Sequence, residues 1–271
     1  MATPINVFLT GASSGIGLET AQLLTENNCR VWGTSREAAR LPVLANFHPV
    51  AMDLTDVNSI RERFAEALRA AGHFDVLINN AGAGYFSPVE TQPDEMVREQ
   101  FQLLVHGPLE LIRLALPHMR QLKQGRIINV SSLAAQFPVP YLGAYSAAKA
   151  AMVSLSASLR LELAHTKVRV VDVQPGDIHT NFHTATRRLP AALGAADDAR
   201  MDRAWQTIGR NMAGAPSPER VAEAIVKIVF QANPPAVVTV GNLFQARIGP
   251  LLARVAPRGW IEKFLRVYYR L

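Results

Sequence analysis

Tyr145 and Lys149 stand four residues apart in "YSAAK", so on a helix they share one face. A phenol has an ordinary pKa of about 10, too high to cycle a proton near neutrality. A neighbouring ammonium favours the phenolate and lowers that value. A tyrosine so placed can give a proton to a carbonyl oxygen or take one from an alcohol. Ser132, thirteen residues earlier, offers a hydroxyl to an oxygen on which charge develops. The plain alternative is a helix surface that happens to carry Tyr and Lys at i, i+4.

A second stretch points to a phosphate. "LTGASSGIGLETAQLL" (9–24) carries Gly11, Gly15 and Gly17 between an apolar run, "INVFL" (5–9), and apolar residues at helical spacing, Leu18, Ala21 and Leu24. Strand, bare turn and helix form an anion site, because backbone N–H groups and the helix dipole face the ligand. Glycine lets the chain turn tightly and the ligand approach closely. The spacing is G-x-x-x-G-x-G with no G-K-[ST], which excludes a P-loop. An ordinary strand-to-helix turn with chance glycines is the alternative.

The elements that must position these groups alternate along the chain. Strands are expected at 5–9, 29–35, 50–54, 74–82, 125–132, 168–176 and 236–241, and helices at 16–27, 59–72, 94–121, 145–166 and 217–230. The last helix has Ser217 as N-cap and Pro218 at its first position. Such alternation means an α/β fold, a doubly wound parallel sheet of about seven strands with helices on both faces. No linker or repeat interrupts it, so residues 1–271 read as one Rossmann-type domain. In such sheets ligands bind beyond the carboxyl ends of the strands, where strand order reverses, and every motif here falls at such an end.

Composition fits. The chain has 271 residues, 49% apolar and 18% charged, enough for one large core. Cys29 is the single cysteine, so no internal disulfide forms and a reducing, cytoplasmic setting is expected. The first strand starts too close to Met1 to leave room for a signal peptide, and no apolar run reaches the length of a membrane span. The sequon at Asn129-Val130-Ser131 falls inside an expected strand and reads as chance. The net charge is +6, which suits solubility, an anionic ligand or an anionic surface.

Four stretches, "TGASSGIG" (10–17), "NNAG" (79–82), "YSAAK" (145–149) and "PGDIHT" (175–180), together with Ser132, resemble the short-chain dehydrogenases/reductases in order and distance. The resemblance spans roughly residues 5–182. It implies catalytic roles for Ser132, Tyr145 and Lys149, with Lys149 also bonding a nicotinamide ribose. It implies that Gly11, Ser13, Ser14, Gly15, Ile16 and Gly17 make room for the pyrophosphate of a nicotinamide dinucleotide. Asp53 and Leu54 would line the adenine. Asn80, with Ala81 and Gly82, would tie the fourth strand to its neighbour and border the adenosine ribose. After Pro175 and Gly176, Ile178 and Thr180 would hold the nicotinamide amide and the pyrophosphate. A small-molecule carbonyl or alcohol substrate, no nucleic acid and a homodimer or homotetramer follow from the same resemblance.

Cofactor choice is read after the second strand. NAD sites usually place an acid there. This chain has "GTSRE", with Ser35 at that position and Arg36 next. A guanidinium pairs with a 2′-phosphate, so NADP(H) is expected over NAD(H). A solvated Arg36, with Glu37 serving either cofactor, is the alternative.

One position departs from the pattern. The family usually carries Asn three residues before a glycine on the helix after "NNAG", and that Asn is thought to hold a water in a proton relay to the Lys. In "LLVHGP" Leu104 stands there, with Gly107 in place. His106 lies roughly on the opposite face. The departure motivates a rival reading, an NADP-binding regulatory or scaffold protein with weak turnover.

Three further stretches carry chemistry-bearing residues or charge. His179 and His183 form H-x-x-x-H, but lack a clear third ligand, so a loop and no metal are expected. Residues 183–215 are least like the family and read as a substrate lid. The tail, 244–271, holds six basic residues against Glu262 alone. Its Trp260, Ile261, Phe264, Leu265 and Tyr268 form one helix stripe. Either the stripe packs on the domain or a partner subunit, or the basic amphipathic helix lies on an anionic membrane surface. The second case implies a lipid-like substrate such as a steroid, retinoid or acyl ketone.

Overall fold

The computed structural model describes residues 3–190 and 194–271. In chain order it shows β1 (Ile5–Leu9), α1 (Gly15–Glu26), β2 (Cys29–Ser35), β3 (Phe47–Ala51), α2 (Val57–Ala71), β4 (Val76–Asn79), β5 (Tyr85–Phe86) and α3 (Asp94–Phe101). Then follow α4 (Gly107–Gln121), β6 (Gly125–Val130), α5 (Gly143–Glu162), β7 (Val168–Pro175), α6 (Phe182–Ala185), β8 (Arg187–Arg188), α7 (Ala195–Ala213), α8 (Glu219–Phe230), β9 (Val237–Val240), α9 (Gly249–Val255) and α10 (Arg258–Tyr268).

The main sheet has seven strands in the order β3-β2-β1-β4-β6-β7-β9, all pairs parallel. The order reverses between β1 and β4, which places a ligand crevice at their carboxyl ends. The pleat sends successive side chains to opposite faces. Val7, Leu9, Ile128 and Val171 pack with Ala21 and Leu24 of α1 and Val221 and Ile225 of α8. Phe8, Leu77, Ile127 and Val170 pack with Phe64 of α2 and Leu111 and Met119 of α4. Phe8 meets Phe64 and Phe74 edge-on at 5.0 and 5.2 Å. Each such fully buried side chain contributes about 1.5–3 kcal/mol, which makes the frame under the crevice rigid.

Several boundaries move. The third strand is 47–51 rather than 50–54, and the fourth is 76–79 rather than 74–82. The helix expected at 94–121 is broken by a π-turn at Gln102–His106, where Leu104 sits. The helix at 145–166 runs instead from 143 to 162. Pro218, not Ser217, occupies the cap position of α8. Pro218 itself has helical backbone angles, close to the first-position role expected for it, although the helix is bounded at Glu219. The sequon residue Asn129 is buried in β6, where its side chain donates to Ser156 Oγ at 2.9 Å.

Two elements are additional to those expected from the sequence. Tyr85 and Phe86 pair in parallel with Arg187 and Arg188 as a separate two-stranded sheet. Pairs this short have no readable alternation. The stretch 183–215 holds α7, whose Met201, Ala204, Ile208 and Met212 line one face and pack on Phe86, Leu142 and Tyr269. Residues 191–193 of the expected lid lie outside the described residues. His183 sits on α6 rather than in a loop, its ring 3.9 Å from that of Trp205.

Candidate active site

The carboxyl ends of β1, β2, β4, β6 and β7 open into one cleft of about 480 Å³. Every residue singled out from sequence as catalytic or cofactor-binding lines it. Gly11, Ser13, Ser14, Gly15, Ile16 and Gly17 lie on one wall, and Ser35, Arg36, Asp53 and Leu54 at one end. Asn80, Ala81 and Gly82 follow, then Ser132, Tyr145 and Lys149, and then Pro175, Gly176, Ile178 and Thr180.

The glycine turn has the shape of an anion cradle. Gly11 and Gly15 have φ of +72° and +54°, a region that disfavours side chains. A Cβ on Gly17 would lie 2.0 Å from the Gly11 carbonyl oxygen, so no side chain fits. No side chain caps the amino end of α1 at Ser14, which leaves its N–H groups directed at the cleft. Asn80 donates from Nδ2 to the Thr10 carbonyl at 3.0 Å, and its own N–H donates to Thr10 Oγ1 at 2.9 Å. These bonds tie β4 to β1 at the switch point. The bare turn and the uncapped helix end fit the pyrophosphate of a dinucleotide.

Tyr145 and Lys149 stand one turn apart on α5. The ammonium donates to the Val130 carbonyl at 2.8 Å and lies 5.7 Å from the tyrosine ring centre. Burial brings Lys149 down to about 8, while the Asp172 carboxylate beneath it pulls the other way. Burial pushes Tyr145 up to about 12, opposed by the Ser132 hydroxyl. The expected lowering of the phenol is therefore corrected. Desolvation of the phenolate outweighs an ammonium whose bond goes elsewhere. Ser132 is fixed at the end of β6, its oxygen accepting from Ala134 N at 3.0 Å.

A polar layer holds these groups from below. Asp172 is fully buried and accepts from Ser131 Oγ and Gln174 Nε2, both at 2.5 Å. Asn79 Nδ2 donates to Asn129 Oδ1 at 2.8 Å. Leu104 is 2% exposed and packs with Tyr145, Ala148 and Met152. A Cβ on Gly82 would lie 3.5 Å from its Cδ2 and 3.8 Å from Lys149 Nζ, so Leu104 and Lys149 both border Gly82. His106 is exposed.

Sequence reasoning missed part of the wall. Arg40, Tyr85, Arg187, Asn211, Met212 and Tyr269 also line the cleft. Tyr269 comes from the tail and is 7% exposed. Its neighbour Tyr268 accepts from Asn211 Nδ2 at 3.0 Å and donates to Asp177 at 3.4 Å. Gln245 Nε2 also donates to Asp177, at 2.6 Å. Burial raises the Asp177 carboxyl, and those two hydrogen bonds oppose the rise. The tail stripe thus divides. Ile261, Leu265 and Tyr268 are half-buried, whereas Trp260 and Phe264 are exposed.

Residues 6–190 match the short chain dehydrogenase family. A 3-ketodihydrosphingosine reductase of Bacteroides thetaiotaomicron is 33% identical over 270 residues, covering 99% of both chains. A short-chain dehydrogenase from Streptomyces avermitilis superposes with a TM-score of 0.82 at 29% identity, covering 97% of this chain and 98% of that one. A metagenomic short-chain oxidoreductase in complex with NADP gives 0.70 at 28% identity, covering 88% of this chain and 98% of that one. With the parallel seven-stranded sheet and the cleft at its switch point, these likenesses place the chain in the short-chain dehydrogenase/reductase family of oxidoreductases.

Proposed function

We propose that the protein is an NADPH-dependent carbonyl reductase, or in reverse an alcohol dehydrogenase, for a lipid-like ketone. The observation that carries the reading is the convergence of Ser132, Tyr145, Lys149 and Arg36 on one cleft. When bound, NADPH supplies the hydride to the carbonyl carbon. Tyr145 gives its phenolic proton to the carbonyl oxygen, so the product is the alcohol. Ser132 holds that oxygen as charge develops. Lys149 steadies the phenolate left behind and bonds the nicotinamide ribose. Arg36 pairs with the 2′-phosphate, and Ile178 and Thr180 hold the nicotinamide amide and the pyrophosphate.

The lipid-like substrate is supported by the wall around Tyr145. Val139, Leu142, Phe182, Ile208 and Met212 line that end of the cleft, with Asn211 and Tyr269 as polar groups. The Bacteroides relative, a reductase of a sphingoid ketone by its name, supports the same class. In this reading 183–215 is the lid of a single domain, and the chain is a cytoplasmic homodimer or homotetramer. Peripheral membrane contact belongs to the reading as well. No helix among the described residues is long and apolar enough to cross a membrane, but α10 presents Trp260, Phe264 and Val267 outward.

The test is NADPH consumption against a panel of long-chain ketones, steroids and small aldehydes, with NADH in parallel. Turnover of apolar ketones with NADPH is expected. Tight NADPH binding with no turnover on any member would favour the regulatory or scaffold reading that Leu104 motivates. Equal turnover with NADH would overturn the cofactor assignment.

A further inference from the structure

Two successive arginines on one short strand point to opposite faces. On β8 they have opposite fates. Arg188 turns outward, pairs with Asp202 of α7 and lies over the Trp205 ring at 5.9 Å. It anchors the strand to α7. Arg187 turns into the cleft. Among the described residues no carboxylate pairs with it, nor with Arg36 or Arg40 on the same cleft wall.

The backbone fixes where Arg187 sits. Its N–H donates to the Gly84 carbonyl at 2.9 Å, and it stands in register with Tyr85. The Tyr85 hydroxyl donates to Glu99 at 2.5 Å, and both the Arg36 and the Arg187 guanidinium act on that phenol by their charge. Arg36, at the end of β2, and Arg187, on β8 beside Tyr85, line the same cleft. Of the carboxylates lining the cleft, Asp53 is taken up by the Thr55 N–H and hydroxyl at 2.8 and 2.7 Å. Asp177 is held at the tail end, and Glu99 carries the Tyr85 bond. Three guanidinia remain for a ligand of high negative charge. A phosphate monoester is the group that matches them in geometry and charge.

We propose that Arg187 is a second guanidinium for the 2′-phosphate of NADPH, reaching it from the strand that α7 holds, opposite Arg36. The proposal rests on the NADPH reading above and adds to it a role for the lid. The phosphate then ties the segment after α6 to the end of β2, so the phosphorylated cofactor, and not its dephospho form, draws that segment onto the cleft.

The test measures binding alone, on the full chain. Affinities for NADPH, NADH and adenosine 2′,5′-bisphosphate are compared for the wild type, Arg187→Ala, Arg187→Lys and Arg188→Ala. Arg187→Ala is expected to weaken NADPH and the bisphosphate by about tenfold, as loss of a charged hydrogen bond does, and to leave NADH unchanged. Arg187→Lys should recover part of the loss. Arg188→Ala, which loosens the lid without touching the phosphate, should not discriminate between the cofactors. Equal losses for NADPH and NADH on Arg187→Ala would overturn the 2′-phosphate assignment. Unchanged NADPH binding would overturn it too and leave Arg187 to a phosphate carried by the substrate. A wild type that itself prefers NADH is a different result, because it removes the cofactor reading and not Arg187 alone.

Discussion

The Lys149 ammonium lies 5.7 Å from the Tyr145 ring centre, but its hydrogen bond runs to the Val130 carbonyl at 2.8 Å. The pair shares a helix face without sharing a proton. Burial therefore decides both groups, and it drives them apart, Lys149 down to about 8 and Tyr145 up to about 12. At neutral pH both carry their protons, which is the state that reduces a carbonyl.

The acid–base assignment has a pH signature. Tyr145→Phe should lower turnover by about 10²–10⁴-fold while NADPH still binds. In the wild type, kcat/KM for reduction should fall as pH rises through about 8, where the ammonium is lost. Lys149→Met should lower the plateau and flatten that limb. The linkage to stability has the opposite sense. The native pKa lies below the ordinary 10.5, so between those values the unfolded chain binds more protons, and this group makes stability rise with pH. Denaturant titrations across that window, with Lys149→Met as control, measure it. A reductase limb unchanged by Lys149→Met would show that another group titrates.

The glycine turn makes a harder prediction. A Cβ on Gly17 would meet the Gly11 carbonyl oxygen at 2.0 Å and Asn80 Nδ2 at 2.6 Å. The first is backbone, and the second is held by its hydrogen bonds to the Thr10 and Gly11 carbonyls. Gly17→Ala should abolish nucleotide binding or folding, whereas Gly72→Ala, with open space around it but φ of +78° and ψ of −42°, should cost only backbone strain of about 1–3 kcal/mol. Thermal melts with and without NADPH compare the two.

Arg36 is the direct test of cofactor choice. Arg36→Ala should weaken NADPH by at least about tenfold and leave NADH near its wild-type value. Equal losses measured by fluorescence titration would return Arg36 to a solvated role.

Leu104 is buried against Tyr145 at a place where the family pattern has Asn. Leu104→Asn puts an amide among Tyr145, Ala148 and Met152, at a cost of about 1–3 kcal/mol if it stays unpaired. If the amide instead holds a water on the path to Lys149, turnover should rise. A drop in melting temperature with unchanged kcat would assign Leu104 to packing.

How much of this was legible follows from the kind of signal each part leaves. β1, β2, β6 and β7 are apolar runs buried on both faces, so pattern alone found them. The glycines and the Tyr145–Lys149 pair are fixed by backbone space and helix period, so spacing found them. Leu104 was placed in an unbroken helix because a π-turn has no composition of its own. The long-range wall was not legible. Nothing near Tyr269 in sequence says that it lines a cleft with Ser132, because the tail reaches there through Tyr268, Asp177 and Gln245. Nor do two consecutive arginines reveal which one faces inward until β8 is paired with β5.

The tail gives the last prediction, and the structure changes how it must be tested. The expected stripe mixed two faces. Tyr268 and Tyr269 are docked, so cutting the chain near Gly259 would expose Phe86 and Met212 and leave Asp177 without its Tyr268 partner. Lost membrane binding in such a truncation would prove nothing. The outward face is separable. Trp260, Phe264 and Val267 recur at i, i+4 and i+7 on α10 and are 74%, 47% and 75% exposed, with Leu271 exposed beyond the helix end. Phe244 joins them, its ring 5.9 Å from that of Phe264. Lys263, Arg266 and Arg270 form an exposed row beside this face, the arrangement of a helix lying in an anionic interface. Trp260→Ser with Phe264→Ser should therefore abolish co-sedimentation with vesicles rich in anionic lipid and leave the melting temperature and NADPH affinity unchanged. Binding to neutral vesicles should be weaker and should not respond to salt. If the double variant sediments like the wild type, or if it instead changes the oligomer seen by sedimentation velocity, the exposed face serves a second copy of the chain rather than a bilayer.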